Sequence, residues 1–132
     1  MVTVRNEWPP NIKAIERTFG DLPPGVLFAW GPDTIYFPRG GPLPQWIVAH
    51  ERVHHTQQGD DVEGWWERYL TDEVFRLDQE VEAHRAEWAS AKVHIGDPND
   101  RARHLFEMAR RLSSPMYGGM VTFTEAKALI RS

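Results

Sequence analysis

Residues 45 to 58 read QWIVAHERVHHTQQ, and the pattern predicts a helix that begins after the last proline of the segment before it. Its apolar residues fall on nearly every side of the helix: Trp46, Ile47, Val48, Ala49 and Val53. Such a helix is normally buried, so we expect it to lie inside the protein. The polar side chains that it also carries must then offset the cost of leaving water.

Those polar side chains form an HExxH motif from His50 to His54. Residues four apart on a helix share a face, so both imidazoles can reach one ion. Glu51 follows the first histidine and is expected beside the metal, where a base can take a proton from an activated water molecule. A chance HExxH on a surface helix is the other interpretation, and the apolar setting disfavours it. The motif therefore predicts a zinc site with His50 and His54 as ligands and Glu51 as general base.

A catalytic zinc ion usually has three protein ligands and an open position for water, so one ligand is still missing. The chain contains no cysteine, which excludes disulfides and thiolate ligands and leaves histidine and carboxylate. Candidates occur in residues 80 to 84, which read EVEAH. Glu80 and His84 lie four apart and share a helix face, whereas Glu82 points roughly the other way. The residues alone leave the choice between Glu80 and His84 open.

Two segments carry a resemblance to a known family. Residues 50 to 58, HERVHHTQQ, resemble the HExxHxxQQ helix of small zincin-like peptidases. The EVEAH segment is similar to the Glu-x-x-Ala-Asp/Asn segment of gluzincins, whose third zinc ligand is glutamate. The resemblance covers roughly residues 45 to 88 and implies a minimal zincin-like helical domain with Glu80 as the third ligand. His84 stands where the family usually has Asp or Asn, so it stays an alternative ligand.

Other polar residues are weaker candidates. Tyr117 lies in the predicted loop 113 to 119, and a loop tyrosine can donate a hydrogen bond to the oxyanion of a tetrahedral intermediate. Packing is the other interpretation of such a residue. Gln57 is expected either to hydrogen-bond to the site or to cap its helix. The three remaining histidines are predicted to lie outside the site, with His55 partly buried and His94 and His104 solvated.

The rest of the chain predicts a mainly helical α+β fold in a single domain, residues 1 to 132. Turn residues 31 to 33, Gly-Pro-Asp, indicate a hairpin between strands 26–30 and 34–37. Helical patterns cover residues 12–19 and 62–70. Thr71 is predicted to cap a long helix that runs to about residue 95, and Asn99 or Asp100 to cap the next helix, which runs to residue 112. A last helix is predicted to end at residue 130. We expect the HExxH helix to pack against the long helix, where small Ala83 permits close approach. The aromatic residues predicted as core are Trp65, Trp66, Tyr69, Phe75 and Trp88.

Composition excludes several classes of function. The 15 Lys and Arg against 19 Asp and Glu give no excess of positive charge, so nucleic-acid binding is not expected. The basic residues near the end of the chain are expected to form a solvated helix face: Arg101, Arg103, Arg110 and Arg111. No apolar run reaches the roughly 20 residues of a membrane span, and the first ten residues do not resemble a signal peptide. We therefore expect a soluble, cytoplasmic protein without membrane partners.

Two functions fit the motifs. The first is a zinc-dependent metallopeptidase that hydrolyses peptide or protein substrates, with Glu51 activating water and Tyr117 as a further catalytic candidate. The second is a non-catalytic zinc-binding structural or assembly module, in which the metal holds a small core together. A purely structural site needs no base beside its first ligand. The presence of Glu51 therefore favours the peptidase.

Overall fold

The computed structural model of the protein describes all 132 residues, and its fold is mainly helical α+β, which confirms the predicted class. A small mixed sheet near the N-terminus precedes most of the helices. The strands are β1 (Thr3–Arg5), β2 (Phe28–Trp30) and β3 (Thr34–Tyr36). The helices are α1 (Ile12–Phe19), α2 (Gln45–Gln58), α3 (Val62–Thr71), α4 (Glu73–His94), α5 (Pro98–Leu112) and α6 (Phe123–Arg131), with a single 3-10 turn at Pro115–Tyr117. None of the helices is both long and apolar enough to cross a membrane.

The sheet contains the predicted hairpin and one strand that was not predicted. β2 and β3 pair antiparallel, with Ala29 opposite Ile35, so the hairpin is confirmed with slightly shorter strands. β1 adds to the other side of β3 in parallel, which gives the strand order β1-β3-β2. All three residues of β1 are exposed, so the sequence shows no burial pattern from which this strand could be predicted.

Two helix caps differ from the prediction by one to three residues. Thr71 is the last residue of α3, and the carboxylate of Asp72 accepts the hydrogen bond from the Phe75 backbone N–H that caps α4. Asp97 caps α5 in the same way, whereas the prediction placed the cap at Asn99 or Asp100. Pro98 occupies the first helical position. Proline suits that position because the first backbone N–H of a helix has no partner within the helix.

Helix α2 packs along α4, as expected, and Ala83 of α4 is fully buried. Two apolar clusters flank this pair. One lies between α4, α5 and α6 and includes Leu77, Leu105, Met108, Leu112 and Ile130. The other lies under the sheet and includes Ile15, Phe28, Trp65, Trp66 and Tyr69, with Phe75 packed against it. The aromatic residues predicted as core thus lie in or against these clusters, Trp88 against the first.

The burial of α2 is not what its apolar residues predicted. Its buried side chains are all polar: Glu51, His54, His55 and Gln58. The five apolar residues of the helix are only half-buried. The helix is thus only partly buried, and polar side chains, not its apolar residues, occupy the most buried positions. Its inner face meets the buried polar residues Glu80, His84 and Glu87 of α4 instead.

Candidate metal centre

Three side chains from two helices converge at the polar contact between α2 and α4. The Nε2 atom of His54 lies 3.0 Å from Oε2 of Glu80, and the Nε2 atom of His50 lies 3.3 Å from Oε1 of the same carboxylate. The ligand atoms of these three residues all lie within 4.8 Å of one another. The four-residue spacing on α2 places both imidazoles on one face, and α4 supplies the carboxylate opposite them. His50, His54 and Glu80 can therefore hold a metal ion.

Both histidines are oriented through their other ring nitrogen. Nδ1 of His50 lies 2.8 Å from Oε1 of Glu87, and Nδ1 of His54 lies 2.8 Å from Oε1 of Gln57. The amide nitrogen of Gln57 donates to the backbone carbonyl of Gln79, which turns its oxygen toward His54. Since both Oε1 atoms accept hydrogen bonds, each Nδ1–H donates and Nε2 is left to face Glu80. This is the usual arrangement of metal-binding histidines, and it shows that Gln57 contacts the site instead of capping α2.

Glu80 is the buried centre of this group. Only 3% of the residue is exposed, and the Tyr69 hydroxyl donates a 2.6 Å hydrogen bond to its Oε2. Its Oε1 atom is buried without any hydrogen-bond partner, a costly arrangement for a carboxylate oxygen. A cation bound between Glu80 and the two histidines would satisfy this atom.

The electrostatics of the site also favour a positive charge. Burial opposes the charged form of His50, but the neighbouring carboxylates of Glu80 and Glu87 raise its pKa well above the usual range. The pKa of His54 is also raised, because the charge of Glu80 outweighs the effect of burial. Burial would raise the pKa of Glu80, yet His54 and His50 hold it well below its usual value. Imidazole nitrogen with carboxylate oxygen is a donor set typical of zinc and related transition metals, whereas calcium and magnesium prefer oxygen alone.

Glu51 lies beside the three residues. Its Oε2 atom is 3.6 Å from Nε2 of His50, and the residue is buried. Glu51 lines two spaces that share His50 and Tyr117 in their walls, an inner cavity of about 110 Å³ and an outer groove of about 430 Å³. A molecule in the groove can therefore reach both Glu51 and the point where the histidines converge.

The inner cavity and the outer groove differ in their walls. The cavity lies against His54 and Glu80 and is otherwise mostly apolar and aromatic, with Trp65 and Tyr69 in its wall. The groove is larger, and polar residues from α2, α4 and α5 contribute to it. His50 is the most exposed of the three candidate ligands, with 12% of its side chain accessible. Access to the site is therefore from the side of His50.

Tyr117 lines both spaces from the 3-10 turn, within the segment that was predicted as a loop. The buried guanidinium of Arg76 donates to the Met116 carbonyl at 2.8 Å and so ties the turn to α4. Burial raises the pKa of Tyr117 well above its usual range, and the charge of Glu80 adds to the rise. The hydroxyl therefore keeps its proton and can act as a hydrogen-bond donor.

His84, the alternative third ligand, makes a different contact. Its Nδ1–H donates to the backbone carbonyl of Glu80 at 2.6 Å, and its ring packs edge-on against His50 with the centroids 4.8 Å apart. Burial lowers the pKa of His84 to about 4, so the ring is neutral at ordinary pH. The structure groups Glu80, and not His84, with the two histidines of α2. Glu82 is exposed and does not belong to the group, as its position predicted.

Glu87 is a site residue that sequence reasoning missed. It is 1% exposed and accepts hydrogen bonds from His50, from Nε2 of His104 at 2.7 Å and from Arg111 at 3.3 Å. Burial opposes its charge, but His104 and His50 hold its pKa well below the usual range. Its position seven residues after Glu80, hence on the same face of α4, was the signal that could have revealed it.

The remaining histidines and basic residues fit the predictions in part. His55 is buried and donates to the Thr34 carbonyl at 2.7 Å, and His94 is exposed, as predicted. The prediction that His104 is solvated is wrong, since it is half-buried and bound to Glu87. Arg111 likewise differs from a purely solvated arginine because it pairs with the same carboxylate. The contacts of both depend on how α5 packs on α4.

Comparison of the chain with family models, curated proteins and solved structures finds no match. The function must therefore be inferred from the site. Its geometry supplies three candidate ligands, a carboxylate next to them and a groove through which both are reached.

Proposed function

We propose that the protein is a zinc-dependent peptidase in which His50, His54 and Glu80 bind zinc and Glu51 is the general base. One observation carries the proposal. Two imidazole Nε2 atoms and the unpartnered Oε1 of Glu80 converge beside a second carboxylate, Glu51, that lines an open groove. Two histidines and a glutamate form a common ligand set of catalytic zinc sites. The resemblance of the HExxH and EVEAH segments to gluzincins supports the same set of residues.

The residues have separate tasks in the proposed hydrolysis. Zinc, when bound, supplies Lewis acidity that makes water more acidic and polarises the scissile carbonyl group. Glu51 accepts a proton from the attacking water, whose oxygen forms a bond to the carbonyl carbon. The proton then passes from Glu51 to the amide nitrogen, the C–N bond breaks, and the products are a carboxylate and an amine. Tyr117 donates a hydrogen bond to the carbonyl oxygen as that atom gains negative charge.

The groups around the site serve this chemistry by fixing orientation and providing apolar surroundings. Glu87 and Gln57 hold the two imidazoles, and Tyr69 holds the Glu80 carboxylate. The inner cavity presents a mostly apolar and aromatic wall beside the site, which favours a low local dielectric constant. Electrostatic interactions are stronger in such surroundings, so a hydrogen bond from Tyr117 has more effect there than in water.

A second candidate function is a non-catalytic zinc module. The observation that favours it is the polar contact between α2 and α4, since every buried side chain of α2 is polar. A metal ion between these helices would join them at a contact made by buried polar side chains, and metal binding would then contribute to folding. Both functions require zinc, but only the peptidase requires Glu51 and the groove.

A peptide library distinguishes the two functions. The protein loaded with zinc is incubated with a mixture of unstructured peptides, and the cut positions are mapped by mass spectrometry. We expect cleavage that stops when a chelator removes the metal and resumes when zinc is added back. If zinc raises the melting temperature but no peptide in a diverse library is cut, the structural module is the correct function and the peptidase is not.

Glu87 provides a test of how the metal site is held. Glu87→Gln should weaken zinc binding about 10–100-fold, because the amide is a poorer acceptor for the Nδ1–H of His50 than the carboxylate. Glu107→Gln is a suitable control, since this glutamate is largely exposed and pairs with Arg110 on α5. Zinc affinities are measured by competition with a chelator of known affinity. Equal affinity in the two variants would show that Glu87 does not support the metal site.

A further inference from the structure

Arg111 supplies the only lysine or arginine side chain in the groove that leads to the proposed zinc site. It projects from α5 near the end of that helix. The acidic residues of the groove are Glu51 and Glu87. A positively charged side chain in a groove favours substrates that place a negatively charged group beside it.

The guanidinium of Arg111 has unused hydrogen-bonding capacity. Its only hydrogen bond is from Nη2 to Oε2 of Glu87 at 3.3 Å, and 47% of the side chain is accessible. A guanidinium has five N–H donors in a fixed plane, so most remain free. The neighbouring Arg110 differs, because two of its nitrogens bind Glu107 at 3.2 and 2.6 Å. Arg111 is therefore suited to bind a planar anion such as a carboxylate, which it can hold through two parallel hydrogen bonds.

Arg111 is also close enough to the proposed zinc site to contact the same substrate. One carboxylate, that of Glu87, links it to His50 through contacts of 3.3 and 2.8 Å. An extended peptide covers about 3.3–3.6 Å per residue. About two or three residues of such a peptide therefore span the separation between the Arg111 guanidinium and the His50 ring. A peptide with its cleaved bond at the zinc site can thus place a nearby carboxylate at Arg111.

We propose that Arg111 binds a carboxylate of the substrate within about three residues of the cleaved bond. This inference rests on the proposed peptidase function and names its substrate class. The carboxylate belongs either to the free C-terminus of a peptide or to an acidic side chain. With a free C-terminus the enzyme removes short C-terminal fragments, and with a side chain it cuts near internal Asp or Glu.

Matched peptides distinguish the two sources of the carboxylate. One peptide has a free C-terminus, the second is the same peptide amidated, and the third is amidated with Asp near the cut position. We expect kcat/KM for at least one carboxylate-bearing peptide to exceed that of the amidated peptide without Asp by about tenfold or more, as expected for a charged hydrogen-bonded pair. Preference for the first peptide identifies a C-terminal carboxylate, and preference for the third identifies a side chain. Equal cleavage of all three would overturn the carboxylate site and leave the peptidase function intact.

A binding measurement tests Arg111 without relying on turnover. The probes are N-acetyl-Leu-Leu with a free carboxylate, its C-terminal amide, and N-acetyl-Leu-Asp-amide, titrated into metal-free protein and into the zinc-loaded E51Q variant by NMR. We expect one of the two acids to bind about tenfold more tightly than the amide, and Arg111→Gln to remove that difference. Arg110→Gln, a matched change on the exposed face of α5, should preserve it.

The outcomes separate the two proposals. If an Arg111-dependent preference for an acid exists but no peptide is ever cut, the carboxylate site stands and the peptidase function fails. If the acids bind no better than the amide, or none binds at millimolar concentration, the inference about Arg111 is wrong. Zinc content of the Arg111→Gln protein is measured in parallel and should match the parent, because His50 and His104 still hold Glu87.

Discussion

Replacing Glu51 with Gln should lower the rate of peptide hydrolysis by about 10²–10⁴ while zinc content and folding stay unchanged. Glutamine keeps the size of the side chain and one hydrogen-bonding oxygen, but it cannot accept a proton at neutral pH. The carboxylate of Glu51 lies 3.6 Å from Nε2 of His50, beside the three proposed ligands. The substitution therefore removes the base and leaves the ligands in place.

Three measurements accompany this substitution. Initial rates are compared on any peptide that the library identifies, zinc is measured by elemental analysis, and thermal unfolding reports on folding. Glu67→Gln is the control, since Glu67 is exposed on α3 and does not line the inner cavity or the groove. If Glu51→Gln with zinc bound cuts the peptide as fast as the parent, Glu51 is not the base and the metal has a structural role.

Replacing Glu80 with Gln should weaken zinc binding by more than about 100-fold, a larger loss than the 10–100-fold typical of groups that only support a ligand. The change removes the negative charge and the carboxylate that both histidines face at 3.3 and 3.0 Å. Zinc should then no longer raise the melting temperature appreciably at concentrations that stabilise the parent. Chelator competition gives the affinity directly.

His84→Asn is the informative partner of that variant. It introduces the residue type that gluzincins usually have at this position, and the ring that it removes hydrogen-bonds only to the Glu80 backbone carbonyl. We expect its zinc affinity to stay within a few-fold of the parent. Strong loss of zinc in His84→Asn with little change in Glu80→Gln would show that His84, and not Glu80, is the third ligand.

Local signals made several parts of the fold predictable from the sequence. Helix α2 has the predicted bounds because Pro44 precedes it and Gly59 follows it with a φ of 56°, a left-handed conformation that favours glycine. The hairpin was predictable because the turn residues Gly31, Pro32 and Asp33 separate two short β-like runs. Strand β1 was not, because three exposed residues acquire a strand conformation only by pairing with β3.

Some residues of the proposed zinc site could likewise be predicted from the sequence, and others could not. The spacing of His50 and His54 is a property of one helix, so the sequence alone placed them together. Choosing Glu80 over His84 needed the resemblance to gluzincins, because both lie on one face of α4. The position of Glu87 on the Glu80 face of α4 was a sequence signal, but its partners His104 and Arg111 depend on how α5 packs. The role of Tyr69 could not be predicted, since its contact with Glu80 depends on how α3 packs against α4.

The burial of α2 shows where pattern reasoning failed. Apolar residues around the helix predicted an apolar environment, yet the most buried positions are Glu51, His54, His55 and Gln58. These side chains are buried because partners on other elements satisfy them: Gln58, for example, bonds the backbone of Ala29 and Gly31. Hydrogen bonding to distant residues therefore offsets the cost of desolvating these polar side chains.

Anomalous X-ray diffraction at the zinc absorption edge tests the proposed zinc centre most directly. The protein is expressed in zinc-containing medium and crystallised without added metal. We expect one strong anomalous peak per chain, about 2.0–2.2 Å from Nε2 of His50, Nε2 of His54 and a carboxylate oxygen of Glu80, with Glu51 beside it and not bound. The absence of a peak at this position, both in these crystals and after soaking in zinc, would contradict the proposed centre.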